Sequence, residues 1–283
     1  MNTTVAKLPT GKLEPKLIAL DLDDTLLNSE RQVSAGNARA LRACCERGIY
    51  VVLCSGRAKK SVLPFAKNIG ITGHPFGRYL IAMNGCSVYD VRQEKELFVR
   101  SIAPEILVRA ADEAKKVGLL GQVYSGDRIF FEKETQWTRM DGELCGLDNV
   151  VVEDFDQFLR EGTFYKMLVA GKEAVIASLQ RRLATLFGES AVVFTSKPYF
   201  LEVLPPACGK GEAIEQLAGF LGIPKEMTLC FGDSMNDESM IRLCGAGVAM
   251  VNGDDRIKHL ARFVTEHTND EDGVAHFIEK YVL

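Results

Sequence analysis

Short apolar runs recur along this chain, and each stops abruptly at polar or small residues. Leu17 to Leu20 ends at Asp21, Leu22, Asp23 and Asp24. Ile49 to Leu53 leads into Cys54-Ser55-Gly56-Arg57, and Tyr79 to Met83 into Asn84-Gly85. Thr228 to Phe231 leads into Gly232-Asp233-Ser234-Met235-Asn236-Asp237, Gly247 to Met250 into Val251-Asn252-Gly253, and Arg262 to Val264 into Thr265. Runs with no polar alternation predict strands buried on both faces, as in a parallel sheet. Between them lie stretches with apolar residues at helical spacing. Ser34 is placed to cap a helix over 35–47 that Gly48 closes, and 212–221 and 238–244 show the same period. Strands alternating with helices predict βαβ units, hence an α/β fold with a doubly wound parallel sheet.

The pattern changes between residues 86 and 205. Strand candidates there alternate apolar with polar positions, as in Ile129-Phe130-Phe131-Glu132 and Tyr165-Lys166-Met167-Leu168-Val169. Such strands predict a sheet with one packed face and one face that is wet or turned to a ligand. Helical patterns over 104–117 and 172–187 would cover the packed face. The expected organisation is an N-terminal tail over 1–15, a core built from 16–85 and 206–283, and an inserted α/β cap domain over 86–205. Pro205-Pro206 marks the return.

Composition narrows the function classes. A chain of 283 residues suits one large domain or two smaller ones. Hydrophobic content of 47% and charged content of 25% are those of a soluble globular protein. A net charge of −4 gives no nucleic-acid or membrane surface. No apolar stretch approaches the roughly 20 residues of a spanning helix, and residues 1–14 lack the apolar region of a secretory signal. The eight cysteines show neither CxxC pairs nor zinc spacing, and Cys54 and Cys230 lie inside apolar runs. They are expected as buried thiols in a reducing, cytoplasmic setting. The four histidines are scattered, which disfavours a histidine-ligated metal.

The chemistry-bearing residues stand at the ends of these runs. On an extended backbone residues two apart share a side, so Asp21 and Asp23 would converge beyond a strand end, where open α/β sheets bind their ligands. Crowded carboxylates repel, and a hard divalent cation with oxygen ligands is their natural partner. Ser55-Gly56, Lys210 between Gly209 and Gly211, and the Asp233/Asn236/Asp237 group form three further clusters. Each has an ordinary reading by itself: a helix cap, a turn, a solvated helix start, a capping loop. Their order, each closing an apolar run, points to one site.

At these positions the chain resembles the haloacid dehalogenase superfamily of phosphotransferases. Asp21-Leu22-Asp23-Asp24-Thr25 is similar to its first motif, Asp-x-Asp-x-Thr; Ser55 matches the second, Lys210 the third, and Gly232 to Asp237 the fourth. An insertion of about 120 residues between the second and third motifs resembles the Cof-type (type IIB cap) subgroup, as do Ser55-Gly56-Arg57, Asn84-Gly85 and Asp272-Gly273-Val274-Ala275. Two departures stand out. The subgroup commonly has Gly where Asp24 stands, and Met250-Val251-Asn252-Gly253 replaces its usual Met-Gly-Asn-Ala.

The resemblance implies a Mg²⁺-dependent phosphatase that acts on a small soluble phosphate ester through an aspartyl-phosphate. The substrate would be a sugar phosphate, a nucleotide or a cofactor phosphate. Asp21 would be the nucleophile and Asp23 the acid and base. Asp21, Asp233 and the Asp23 carbonyl would bind the metal, with Asp237 supporting it. Leu22, Ser55, Gly56, Lys210 and Asn236 would bind the phosphate. Asp24 is expected to be structural. Arg57 can reach substrate or pair with a nearby acid. Asn84 can contact phosphate or hold a loop. Trp137, Tyr124, Arg128, Arg139 and Lys166 are cap residues open to core or substrate roles. The acidic run 269–272 reads as a solvated loop near a helix start. The alternatives are a sugar-phosphate phosphomutase, which shares the motifs, and a phospho-accepting signalling domain, which is shorter and lacks the insertion. A monomer or small homo-oligomer is expected, with neither nucleic acid nor membrane as partner.

Overall fold

The computed structural model describes residues 7–126 and 128–283. Residues 1–6 of the expected tail lie outside the described residues. The chain divides into two compact units, Met1–Leu97 with Gly209–Leu283, and Phe98–Cys208.

The first unit opens with β1 (Leu17–Leu20), α1 (Ala35–Glu46), β2 (Tyr50–Cys54), α2 (Lys59–Ile69), β3 (Tyr79–Ala82), β4 (Ser87–Asp90) and β5 (Lys95–Val99). The inserted unit contains α3 (Pro104–Lys116), β6 (Gly121–Ser125), β7 (Arg128–Phe131), α4 (Gln136–Cys145), β8 (Asp148–Val151), α5 (Phe155–Glu161), β9 (Met167–Ala170), α6 (Glu173–Phe187), β10 (Val192–Lys197) and β11 (Phe200–Leu204). The first unit resumes with α7 (Lys210–Phe220), β12 (Thr228–Gly232), α8 (Glu238–Leu243), β13 (Ala246–Ala249), α9 (Asp255–Leu260), β14 (Phe263–Val264) and α10 (Gly273–Tyr281).

The first sheet has the order β14-β13-β12-β1-β2-β3-β4-β5. It is parallel from β14 through β3, and β4 pairs antiparallel to β3. Every residue of β1 is fully buried, as an apolar strand between two parallel neighbours requires. Ser34 caps α1 by accepting the Asn37 N–H at 3.0 Å. Ile18, Leu20, Leu53 and Phe231 join Leu41, Val62 and Phe277 in the core of this unit. β4 and β5 belong to this sheet although they lie beyond Gly85, where the sequence pattern places the start of the insertion. The division between the units falls within β5.

The second sheet has the order β10-β11-β9-β6-β7-β8, antiparallel except for the β7–β8 pair. Val123, Met167, Val169, Leu201 and Val203 on one face pack with Leu107, Leu159, Ile176 and Leu183 from α3, α5 and α6. The opposite face carries Gln122, Tyr124 and Glu202, the alternation expected of one-sided strands. All eight cysteines are unpaired thiols, and all but Cys145 are buried. Among the described residues no helix is long and apolar enough to cross a membrane.

Candidate active site

β1 lies between β12 and β2, and the sheet grows outward from it in both directions. Ligands of open α/β sheets bind at the carboxyl ends of strands flanking such a reversal. Asp21 follows β1, Ser55 follows β2, Asp233 follows β12, and Asn84 lies two residues beyond β3.

Beyond β1 the backbone departs from the extended path that strand alternation predicts. Leu22–Leu26 wind into one wide turn, closed by the Leu27 N–H donating to the Leu22 carbonyl at 2.9 Å. Asp24 takes φ 59° and ψ 7°, a left-handed conformation that Asp tolerates and Gly adopts freely. That geometry accounts for the glycine common there in the resembled subgroup. Asp21 and Asp23 therefore reach different surroundings. Asp21 is 4% exposed. Asp23 is half-exposed and makes a two-point contact with Arg57, from Nε to Oδ2 at 2.9 Å and from Nη2 to Oδ1.

Three asparagines from outside this turn, two of them distant in the chain, fasten it by donating to carbonyls in and just beyond it. Asn252 reaches Asp24 at 2.8 Å, Asn269 reaches Leu27 at 2.9 Å, and Asn37 reaches Leu26 at 3.3 Å. Asn252 in turn accepts the Asn269 N–H at 3.1 Å. The Asp270 carboxylate accepts the Ser29 N–H at 2.7 Å and its hydroxyl at 2.6 Å. The acidic run read from sequence as a solvated loop is thus a clasp on the turn after β1, although Asp270 and Glu271 are exposed.

Asp21, Asp233 and Asp237 are all buried and present carboxylate oxygens within 4.8 Å of one another. Lys210, at the first position of α7 and fully buried, donates to Asp21 Oδ1 and to Asp237 Oδ1, each at 2.5 Å. Asp237 Oδ2 accepts the N–H groups of Asp233 at 2.8 Å and Ser234 at 3.1 Å. The Thr25 hydroxyl donates to Asp233 Oδ1 at 3.2 Å. Three carboxylates against one ammonium leave two negative charges in excess when all are ionised. Burial, with Asp237 adding to it and Lys210 opposing, raises the Asp21 pKa to about 7. Burial and the charges of Asp237 and Asp21 push Asp233 well above the usual carboxylate range. Burial works against the Lys210 ammonium, but Asp21 and Asp237 outweigh it and hold the lysine charged. An oxygen-rich pocket with this surplus fits a divalent cation.

The remaining sequence candidates lie on neighbouring loops. Ser55 is buried and its hydroxyl oxygen accepts the Arg57 N–H at 3.2 Å. A Cβ on Gly56 would lie 2.9 and 3.0 Å from the amide atoms of Asn84, so any side chain here would displace that amide. Asn236 accepts the Ser234 hydroxyl at 2.7 Å, and its Nδ2 lies 3.5 Å from Asn84 Oδ1. The Leu22 side chain is buried in the core. The structure thus gathers Asp21, Asp233, Asp237 and Lys210 into one cluster and sets Asn84 beside Gly56 and against Asn236. It keeps the Asp23 carboxylate apart, against Arg57. Asn252 and Asn269 lie in segments the sequence singled out, but their hold on this turn, and Asn37 altogether, escaped sequence reading, because nothing local marks an Asn that caps another segment's carbonyl.

In the inserted unit, Trp137 stacks on Tyr199 with ring centroids 5.9 Å apart. Tyr124 and Lys166 belong to a buried polar network. Arg139 pairs with Glu134 on the surface, and Arg128 is exposed.

Comparison with known proteins identifies relatives of the chain over nearly its whole length. The sequence model of the haloacid dehalogenase-like hydrolases matches residues 18–278. The chain is 30% identical over 290 residues to 5-amino-6-(5-phospho-D-ribitylamino)uracil phosphatase YwtE of Bacillus subtilis, covering 94% of this chain and 97% of that protein. It is 31% identical over 294 residues to phosphatase YwpJ of the same organism, covering 93% and 99%. The crystal structure of a haloacid dehalogenase-like hydrolase from Bacteroides thetaiotaomicron superposes with a TM-score of 0.82 at 30% identity, covering 94% of this chain and 98% of that one.

Proposed function

The chain belongs to the haloacid dehalogenase-like hydrolase family and is a phosphatase, and from that premise we propose that it hydrolyses small soluble phosphate monoesters with Mg²⁺, through an aspartyl-phosphate on Asp21. The observation that carries this reading is the buried cluster of Asp21, Asp233, Asp237 and Lys210 at the sheet reversal. Phosphoryl transfer asks for a nucleophile in line with the leaving oxygen and positive charge around the transferring group. Asp21 supplies the first and Lys210 part of the second. Asp21 and Asp233, with the Asp23 carbonyl, would hold Mg²⁺, and Asp237 would brace that set. Bound there, the cation would neutralise charge on the phosphoryl oxygens and keep Asp21 ionised.

In the first step an Asp21 oxygen bonds to phosphorus, the ester P–O bond breaks, and Asp23 gives its proton to the leaving alkoxide. In the second, Asp23 takes a proton from water, the water oxygen attacks phosphorus, and the bond to Asp21 breaks. Asp23 is paired with Arg57, so it must leave that contact to carry a proton. Ser55, Gly56, Asn236 and the Leu22 N–H complete the phosphate cradle. The relatives' names support a small phosphate ester as substrate, and the inserted unit is the proposed carrier of substrate choice. Action in the cytoplasm follows from the same reading.

Release of inorganic phosphate from an aryl phosphate, then from a panel of sugar, nucleotide and cofactor phosphates, tests the proposal. Mg²⁺-dependent release is expected. No release from any member with Mg²⁺ present overturns it, and isomerised sugar phosphate without free phosphate would make the protein a mutase.

A further inference from the structure

We infer that Asn84 is a positioning residue that aligns the two loops of the phosphate cradle, a role outside the four motifs; the inference rests on the phosphatase reading above. The strand before it ends in an uncommon way. Met83, Asn84 and Gly85 take φ values of 52°, 53° and 95° in succession. Glycine does this freely, asparagine tolerates it, and a residue as bulky as Met is strained there. The surroundings hold the turn in place. The Met83 N–H donates to the Arg57 carbonyl at 3.0 Å, and the Asn84 N–H to the Ser55 carbonyl at 3.0 Å. Gly85 lies against the Gly209 carbonyl, which a Cβ would approach to 2.1 Å. Strain of this kind persists only where neighbours over-determine it, and it collects at working sites.

What the turn achieves is the placement of one amide. The Asn84 side chain is 1% exposed. It fills the space beside Gly56 that a side chain there would occupy. Its Oδ1 lies 3.5 Å from Asn236 Nδ2, while Asn236 Oδ1 takes the Ser234 hydroxyl at 2.7 Å. The Asn236 amide is therefore oriented from both ends, with its oxygen turned to Ser234 and its nitrogen held on the Asn84 side. A single side chain after β3 thus touches the Ser55-Gly56 loop after β2 and the Asn236 loop after β12. Donors that stabilise a transferring phosphoryl group work only when pre-aimed, and their aim is set by the residues behind them. Asn84 supplies that support without itself touching the substrate.

Asn84→Gly tests this directly, because it keeps the positive φ and removes the side chain that carries the amide. The expected result is a folded protein with a modestly lowered Tm, roughly tenfold weaker inhibition by inorganic phosphate and a comparable rise in KM. Asn84→Asp, nearly isosteric but anionic, should weaken phosphate inhibition further. In an Asn236→Ala background, Asn84→Gly should cost less than it does in the wild type, since part of its effect passes through Asn236. Wild-type KM and phosphate inhibition in Asn84→Gly would overturn the inference, as would a loss confined to kcat that follows a loss of folded protein, or full additivity with Asn236→Ala. A wild type without any turnover fails the phosphatase reading itself. Turnover by the wild type with an unaffected Asn84→Gly fails only the role of Asn84.

Discussion

Each unit of this protein buries a lysine among carboxylates, and the two clusters are balanced differently. In the inserted unit Lys166 meets Glu202 at 2.9 Å and lies 4.9 Å from the Tyr124 ring centroid. Asp141 on α4 is covered by donors, with the Tyr124 hydroxyl at 2.6 Å, the Gln122 amide at 2.7 Å and the Cys145 thiol at 3.4 Å. Burial lifts its pKa, and the Tyr124 hydrogen bond opposes the lift. In the first unit Lys210 is shared by Asp21 and Asp237, and Asp233 adds a third carboxylate to the same volume. Burial is nearly complete in both places, so exposure does not distinguish them. The charge count does, with two carboxylates to one lysine and covering donors in the inserted unit, and three carboxylates to one lysine in the first. A buried pair closed by its own donors ties a helix or strand to a sheet, whereas a surplus of carboxylates is costly until something cationic enters.

The contrast can be broken in several ways. The largest effect is expected from Asp21→Asn, which should lower phosphate release by roughly 10⁴-fold or more while the protein stays folded; full activity in that variant would remove Asp21 from the chemistry. Next comes the cation. EDTA should abolish turnover and Mg²⁺ should restore it, and Mg²⁺ at a hundred times its Kd should stabilise the wild type by about 2.7 kcal/mol in thermal melts. Lys166→Met should retain that stabilisation and Asp233→Asn should lose it. Lys166→Met should instead cost about 3–5 kcal/mol in denaturant unfolding, because it strands the Glu202 carboxylate, and Lys166→Met with Glu202→Leu should recover most of the loss.

The pH dependence has a definite sign. The Asp21 pKa is raised from 3.8 to about 7 in the folded, cation-free protein. Its contribution to stability is fully present below pH 3.8 and is lost as the pH rises through 7. In EDTA, Asp21→Asn should therefore be the more stable protein at pH 8, by about 4 kcal/mol, and the advantage should vanish near pH 4. A difference that grows toward acid would reverse the assignment. The smallest effect is expected from Asn252→Ala, which removes exposed hydrogen bonds to the Asp24 carbonyl and from the Asn269 N–H. It should cost about 1 kcal/mol of stability and lower kcat more than it raises KM, because it loosens the turn that carries Asp21.

Much of the site was legible because apolar runs with abrupt polar ends are themselves a statement of topology. β1, β2, β12, β13 and β14 appear where the runs appear, and α1, α3, α6, α7 and α8 where the period is helical. Lys210 is instructive, since taken singly a lysine between two glycines reads as a solvated helix start, and only its place in the motif order assigned it to the site, where it is fully buried. Its burial depends on Asp21 and Asp237, which are 189 and 27 residues away along the chain. Arg57 was open between substrate and an acid partner, and the structure pairs it with Asp23. The limits of the insertion were blurred because β4 and β5 carry no signal of which sheet they will join.

The sequence alone determined the parallel α/β architecture, the presence of an inserted unit and the set of acids at strand ends, because periodicity and run length act through the local backbone. Tertiary structure alone decided which acids share one volume, which of them Lys210 and Arg57 claim, and how the turn after β1 is fastened by Asn37, Asn252 and Asn269. Those outcomes rest on electrostatics and hydrogen bonds between residues far apart in the chain, and such energies exist only once the sheet has brought the strand ends together.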